Sequence, residues 1–148
     1  MWKKRCEAMP RKPIVLVVDD DISVRHWIQD ILFEHGYASV AASDAVQGLS
    51  VFRMEDIEVC LAIVDMILPG EAGLDLAAEL ARRQPGLKIL YISGCVDSIA
   101  MEAIARTHPE VVLLKPLTEE SLMDRVQRLM SRPTATSEVS AGTLPKSA

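Results

Sequence analysis

Four apolar runs of strand length in this chain each end in a polar group. Residues 14–18 run into Asp19-Asp20-Asp21, residues 61–64 into Asp65, residues 89–92 into Ser93, and residues 111–114 into Lys115. The runs are nearly continuous hydrophobics, the pattern of strands covered on both faces of a parallel sheet. Segments of helical period separate them, so the chain reads as successive βαβ units. The carboxyl ends of parallel strands share one sheet edge, and ligands of open α/β sheets bind there. Carboxylates, a hydroxyl and an ammonium meeting at one crevice suit a hard divalent cation and a phosphoryl group.

A fifth, weaker strand at residues 39–42 reads as a sheet edge. Of the helical segments, residues 23–35 place Val24, Ile28, Ile31 and Leu32 on one face, with Gly36 as the stop. Residues 44–54 open on Asp44 as a cap and turn Ala45, Leu49 and Phe52 inward. Residues 74–84 carry Leu76, Ala77 and Leu80 and end before Pro85-Gly86. Residues 98–107 hold few large apolar side chains and are expected to pack lightly. Residues 118–130 set Glu119 and Glu120 in the first turn, favourable to the helix dipole, and Leu122, Val126 and Leu129 on a buried face.

The 148 residues suffice for one domain with a full core. With aromatics at 4%, that core rests on Val, Ile, Leu, Ala and Met. A net charge of -5 argues against a nucleic-acid surface. Residues 1–12 are the exception, a basic stretch read as a flexible extension with no signal-peptide apolar region behind it. Residues 132–148, rich in Pro, Ser, Thr and Ala, read as a disordered tail. The domain itself is expected over residues 13–131. No run approaches the roughly 18 apolar residues of a membrane span. Cys6, Cys60 and Cys95 show no CxxC spacing, which fits a reducing cytoplasm better than a disulfide or zinc framework. His26, His35 and His108 form no ligand pattern either.

Three adjacent aspartates are costly unless a cation or a positive side chain offsets them. Mg²⁺ typically takes one or two carboxylates plus phosphate oxygen, so two of the three suffice and the third caps the next helix. The alternative is that all three are caps and turn residues. Asp65 ends the most apolar strand, where a carboxylate is unfavourable unless it works. It can ligate the metal, or attack phosphorus to form an aspartyl phosphate. Pro69 and Gly73 shape the loop that leaves it. Ser93, followed by Gly94, can donate to a phosphoryl oxygen, and Lys115 can neutralise one. The Lys115-Pro116 junction permits a cis bond.

The segments VVDDD, AIVDMILPGEAGLDL, LYISG and VLLKPL occur in this order. Over about residues 13–130 the chain thereby resembles the receiver domain of two-component response regulators, the CheY-like superfamily. The resemblance implies a flavodoxin-like (βα)5 doubly wound parallel sheet with strand order 2-1-3-4-5. It implies that Asp65 accepts a phosphoryl group from a sensor histidine kinase or a histidine phosphotransfer protein. It also implies Mg²⁺ held by Asp20, Asp65 and the backbone carbonyl of Ile67 directly, and by Asp19 through water. Ser93 matches the switch hydroxyl and Lys115 the family lysine. Val112 stands where an aromatic is frequent in the family. Ile67 and Cys95 offer no strong polar group to orient a water, so slow self-dephosphorylation is expected.

Two other readings compete. Asp19-x-Asp21 resembles the nucleophile motif of haloacid-dehalogenase-type phosphatases, which need a further acidic pair and a cap. Here Glu119, Glu120 and Asp124 fall on a helix, and no insertion is long enough for a lid. The other is a receiver-like interaction module that never uses phosphate. The favoured reading is a stand-alone cytoplasmic phosphoacceptor, not an enzyme beyond self-catalysed phosphotransfer and dephosphorylation. It neither binds DNA nor enters a membrane, and it is monomeric unless phosphorylation drives dimerisation. A downstream protein is expected to meet the face of the fourth helix, last strand and last helix. There Ala100, Met101, Ile104 and Val112 either offer apolar contacts or pack internally.

Overall fold

The computed structural model describes residues 12–68, 71–94 and 99–131. Most of the basic extension, Pro69, Gly70, Cys95 and the tail at 132–148 therefore lie outside the described residues. In chain order the elements are β1 (Lys12–Val18), α1 (Ile22–Glu34), β2 (Ser39–Ala42), α2 (Ala45–Val51) and β3 (Ile57–Asp65). They continue with α3 (Gly73–Arg83), β4 (Lys88–Ser93), α4 (Ile99–Thr107), β5 (Val112–Leu114) and α5 (Glu119–Ser131). Two-residue strands Ile67–Leu68 and Glu71–Ala72 pair antiparallel between β3 and α3, and a 3-10 turn, Pro109–Val111, precedes β5.

The five main strands are all parallel, in the order β2-β1-β3-β4-β5, with β2 at one edge. This is the flavodoxin-like order 2-1-3-4-5. Successive side chains of a strand point to opposite faces, and both faces are covered. On one face Leu16, Val18, Ala62 and Val64 pack with Ala45, Val51, Leu76 and Leu80 of α2 and α3. On the other, Val15, Val17, Leu61, Ile63 and Leu90 pack with Ile28, Leu32, Leu122 and Val126 of α1 and α5. Double coverage is why the strands read as unbroken apolar runs. Each fully buried Leu or Ile contributes about 1.5–3 kcal/mol relative to exposure.

Local signals fix the helix ends. Asp21 caps α1 by accepting the Ser23 N–H at 2.9 Å, and Gly36, at φ 89°, supplies the left-handed turn that stops it. Asp44 caps α2 through the Gln47 N–H at 2.9 Å, and the Thr118 hydroxyl accepts the Ser121 N–H at 3.0 Å ahead of α5. Helix α2 is shorter than its periodicity suggests. It ends at Val51 and buries Gly48 and Val51 alongside Ala45, leaving Leu49 and Phe52 half-buried.

Strand β3 starts at Ile57, earlier than the apolar run implies, because Glu58 interrupts the hydrophobic pattern without ending the strand. Of the two readings of the face near β5, internal packing holds for Val112 and Ile104. Val112 is buried, and Ile104 is half-buried against the core. Ala100 and Met101 side chains lie outside the described residues. The exposed apolar side chain of that strand is Leu114, at 49%. The described side chains of α4 include none that is fully buried, in line with light packing. Among the described residues no helix is long and apolar enough to cross a membrane.

Candidate functional site

The carboxyl ends of β1, β3, β4 and β5 bring Asp19, Asp65, Ser93 and Lys115 to one sheet edge. Asp19 follows β1 directly, and its N–H donates to the Ala42 carbonyl at 3.1 Å, which ties it to β2. Asp65 is the last residue of β3. The Met66 N–H after it donates to the Ile92 carbonyl of β4 at 2.9 Å, so the chain beyond Asp65 stays on the sheet edge. Ser93 stands one residue past Ile92, the register partner of Asp65. The Lys115 N–H donates to the Ser93 carbonyl at 2.8 Å, and the Lys115-Pro116 peptide is cis.

The charged groups converge. Lys115 Nζ lies 3.2 Å from Asp65 Oδ2 and 3.5 Å from Asp19 Oδ2. Asp19, Asp65 and Ser93 are buried at 1%, 5% and 2% exposure, while Asp20 is exposed at the rim. One carboxylate oxygen each from Asp19, Asp20 and Asp65 lies within 4.8 Å of the others. Asp19 Oδ1 accepts the Asp21 N–H at 2.8 Å. Its Oδ2 is buried and accepts no hydrogen bond among the described residues; the ammonium at 3.5 Å is at ion-pair distance without bonding geometry.

Burial pushes the Asp19 carboxyl up to about 6; the Asp21 N–H pulls it back, and the neighbouring Asp65 carboxylate raises it further. For Lys115, burial works to lower the ammonium, but Asp19 and Asp65 together outweigh it and hold the group above its ordinary value. Such a site holds more negative charge than one ammonium balances. A buried carboxylate oxygen without a hydrogen bond, beside two further carboxylates, fits a hard, oxygen-seeking divalent cation. The residues present therefore fit Mg²⁺.

Asp21 does not join the cluster and serves as the α1 cap. Ile67 opens the short antiparallel ribbon two residues past Asp65, opposite Ala72. Gly73 holds the other side of that loop. Its N–H donates to the Met66 carbonyl at 2.8 Å, and an added Cβ would stand 2.0 Å from the Asp65 carbonyl oxygen. One contributor escapes sequence reasoning. Arg25 of α1 donates from Nη1 to the Asp19 carbonyl oxygen at 2.8 Å. Nothing in the spelling of an exposed-looking helix arginine separates this role from ordinary solvation.

A doubly wound parallel sheet with an acidic cluster and a lysine at its carboxyl edge defines a receiver-type α/β domain. The model of the response regulator receiver domain matches residues 15–127, and the chain belongs to that family of two-component systems. Nodulation protein W of Bradyrhizobium diazoefficiens is 38% identical over 116 residues, covering 78% of this chain and 50% of that protein. The transcriptional regulatory protein AruR of Pseudomonas aeruginosa is 34% identical over 127 residues, covering 84% and 52%. The chain thus spans about half the length of the curated relatives it matches. Among solved structures, the receiver domain of NtrX from Brucella abortus is 26% identical with a TM-score of 0.70, over 80% of this chain and 99% of that one. A CheY-like receiver domain from Methanospirillum hungatei is 25% identical with a TM-score of 0.69, over 82% and 94%.

Proposed function

We propose that Asp65 accepts a phosphoryl group from the phosphohistidine of a sensor histidine kinase or a histidine phosphotransfer protein. The phosphorylated chain then signals through altered protein–protein contacts. The observation that carries this is the Lys115 ammonium 3.2 Å from Asp65 Oδ2, beside the buried, unbonded oxygen of Asp19. In the transfer an Asp65 carboxylate oxygen attacks phosphorus. The donor's N–P bond breaks, and its electron pair returns to the imidazole nitrogen.

Asp20, Asp65 and the main-chain carbonyl of Ile67 would hold Mg²⁺ directly, with Asp19 reaching it through water. When bound, the ion neutralises charge on the phosphoryl oxygens. Lys115 exchanges its Asp65 oxygen for a phosphoryl oxygen and keeps its charge at the site. Ser93 donates its hydroxyl to another phosphoryl oxygen, which draws the end of β4 toward Asp65. That movement biases a two-state equilibrium read by the face of α4, β5 and α5.

On this reading the chain is a phosphoacceptor that catalyses only its own phosphorylation and dephosphorylation. We place it in the cytoplasm, signalling to a protein target without touching DNA. Relatives such as MtrA are named as DNA-binding response regulators, which makes an attached output segment the competing arrangement. The size of the protein immunodetected in its own cells decides between the two.

The site itself is tested by treating the protein with acetyl phosphate and Mg²⁺ and mapping the modified peptide by mass spectrometry. The expected result is a phosphoryl group on Asp65, lost with a chelator and in Asp65→Asn. Modification of Asp19 instead would support the phosphatase reading. No modification under any donor would support the phosphate-independent module.

A further inference from the structure

Besides its ion pair with Lys115, Asp19 is held by three hydrogen bonds. Its N–H is tied to the Ala42 carbonyl and its Oδ1 to the Asp21 N–H. The third hold is Arg25 Nη1, which donates to the Asp19 carbonyl oxygen at 2.8 Å from the first turn of α1. An arginine carries five donors in a rigid fork suited to carboxylates. Here four aspartates, Asp19, Asp20, Asp21 and Asp30, stand within six positions of it in sequence. Among the described residues, however, its one side-chain hydrogen bond goes to a neutral main-chain oxygen.

That oxygen belongs to the peptide unit joining Asp19 to Asp20. A peptide unit is planar, so fixing its carbonyl also fixes the direction in which the Asp20 N–Cα bond leaves. On the far side, the Asp21 side chain is committed to capping α1 through the Ser23 N–H at 2.9 Å. Asp20 is thus exposed at the rim between two anchored residues, with a carboxylate oxygen inside the 4.8 Å cluster. We infer that Arg25 is a positioning residue for the cation site: by gripping the Asp19–Asp20 peptide it aims the Asp20 carboxylate at the metal. This rests on the reading above that Asp19, Asp20 and Asp65 hold Mg²⁺.

The sign of one measurement separates positioning from plain electrostatics. A guanidinium near a cation site repels the cation, so on charge alone its removal strengthens Mg²⁺ binding. If Arg25 positions a ligand, its removal weakens binding. Outer partners of metal ligands typically contribute 10–100-fold in affinity. Arg25 holds main chain rather than a ligating atom, so a loss of about tenfold, at the low end, is expected.

The test is calorimetric titration of Mg²⁺ into the full chain, for the unmodified protein, Arg25→Met, Arg25→Gln and Arg25→Lys, with apo melting temperatures measured in parallel. Methionine removes both charge and donor, and glutamine is too short to reach the carbonyl. Both are expected to bind Mg²⁺ about tenfold more weakly at an unchanged apo melting temperature. Lysine, which restores one charged donor of similar reach, is expected to recover most of the loss. Unchanged or tighter binding in whichever of the two neutral variants folds would overturn the assignment, as would a loss that lysine does not recover. Absence of Mg²⁺ binding by the unmodified protein would instead remove the metal reading on which it rests, so the two failures are told apart.

Discussion

Lys115 Nζ reaches back across the sheet edge to within 3.2 Å of Asp65 Oδ2, joining the ends of β5 and β3, which are not hydrogen-bonded neighbours. Strand β4 lies between them and ends in buried Ser93. The ion pair therefore spans the strand whose terminal hydroxyl is proposed to sense phosphate. Any change at Asp65 that releases or recruits the ammonium is felt at β5 as well.

Lys115→Met is expected to act in opposite senses on stability and on metal binding. It strands two buried carboxylates without their counter-charge. Breaking a fully buried pair costs about 3–5 kcal/mol, and the partly exposed lysine side chain lowers the expectation to about 1–3 kcal/mol. Removing a resident cation also removes a competitor, so Mg²⁺ binds more tightly while phosphoryl acceptance slows. Urea denaturation of the apo protein, calorimetric titration and labelling by acetyl phosphate measure the three effects. A Lys115→Met protein that is more stable at neutral pH and binds Mg²⁺ more weakly would refute this account of the pair.

Asp19 gives the apo protein a pH dependence with a definite sign. Its carboxyl rises from 3.8 to about 6 on folding, so the folded state keeps a proton that the unfolded chain has already released. Stability falls as pH rises from about 4 to about 6 and levels off above that. A shift of this size corresponds to at most about 3 kcal/mol. Asp19→Asn is expected to flatten the decline and to make the metal-free protein about 1–3 kcal/mol more stable at neutral pH. Mg²⁺ should narrow that gap by stabilising the parent protein more than the variant. Urea denaturation across the window, with and without Mg²⁺, measures both; parallel curves for the two proteins would contradict the expectation.

The legibility of the site in the sequence follows a physical division. Asp65 and Lys115 were legible because a charged group ending a continuous apolar run is unfavourable unless something uses it. Asp21 was legible as one of three acids competing for the cap position of α1. Arg25 was not, because its partner is a carbonyl that exists only once the turn between β1 and α1 has closed. Val112 reads equally as surface or core, since a three-residue strand is too short for its alternation to be phased. Glu58 hid the start of β3 in the same way, by breaking a hydrophobic pattern that hydrogen bonding carries through.

Gly73 separates a demand for space from a demand for conformational freedom. Its backbone is helical, yet a Cβ there would lie 2.0 Å from the Asp65 carbonyl oxygen and 2.7 Å from the Met66 Cα. Both obstacles are backbone, so the chain itself must move. Gly73→Ala is expected to cost about 2–4 kcal/mol and to weaken Mg²⁺ binding by displacing Asp65. Gly48→Ala is the control. Its nearest neighbour is a Val18 side-chain methyl at 3.3 Å, which can shift, and the expected cost is about 1 kcal/mol. Chemical denaturation ranks the two; a smaller effect at Gly73 than at Gly48 would rule out the close approach as a constraint.

On the proposed function, the lifetime of a phosphoryl group at Asp65 depends on how well a water is oriented for attack on phosphorus. Ile67 stands two residues beyond Asp65, at the start of the short ribbon, and contributes no polar side-chain group. Without a donor or acceptor there, water approaches unguided and hydrolysis is expected to be slow. Ile67→Asn supplies an amide that can both donate and accept, and should speed the loss of phosphate about tenfold, short of what a full general base achieves. The metal contact proposed for this residue is through its main-chain carbonyl, which the substitution retains, so Mg²⁺ affinity should stay as it was. Decay of radiolabelled phosphoprotein, followed after donor removal, gives the rate. A parent protein that already loses its label rapidly, at a rate the substitution leaves unchanged, would show that another group directs the water.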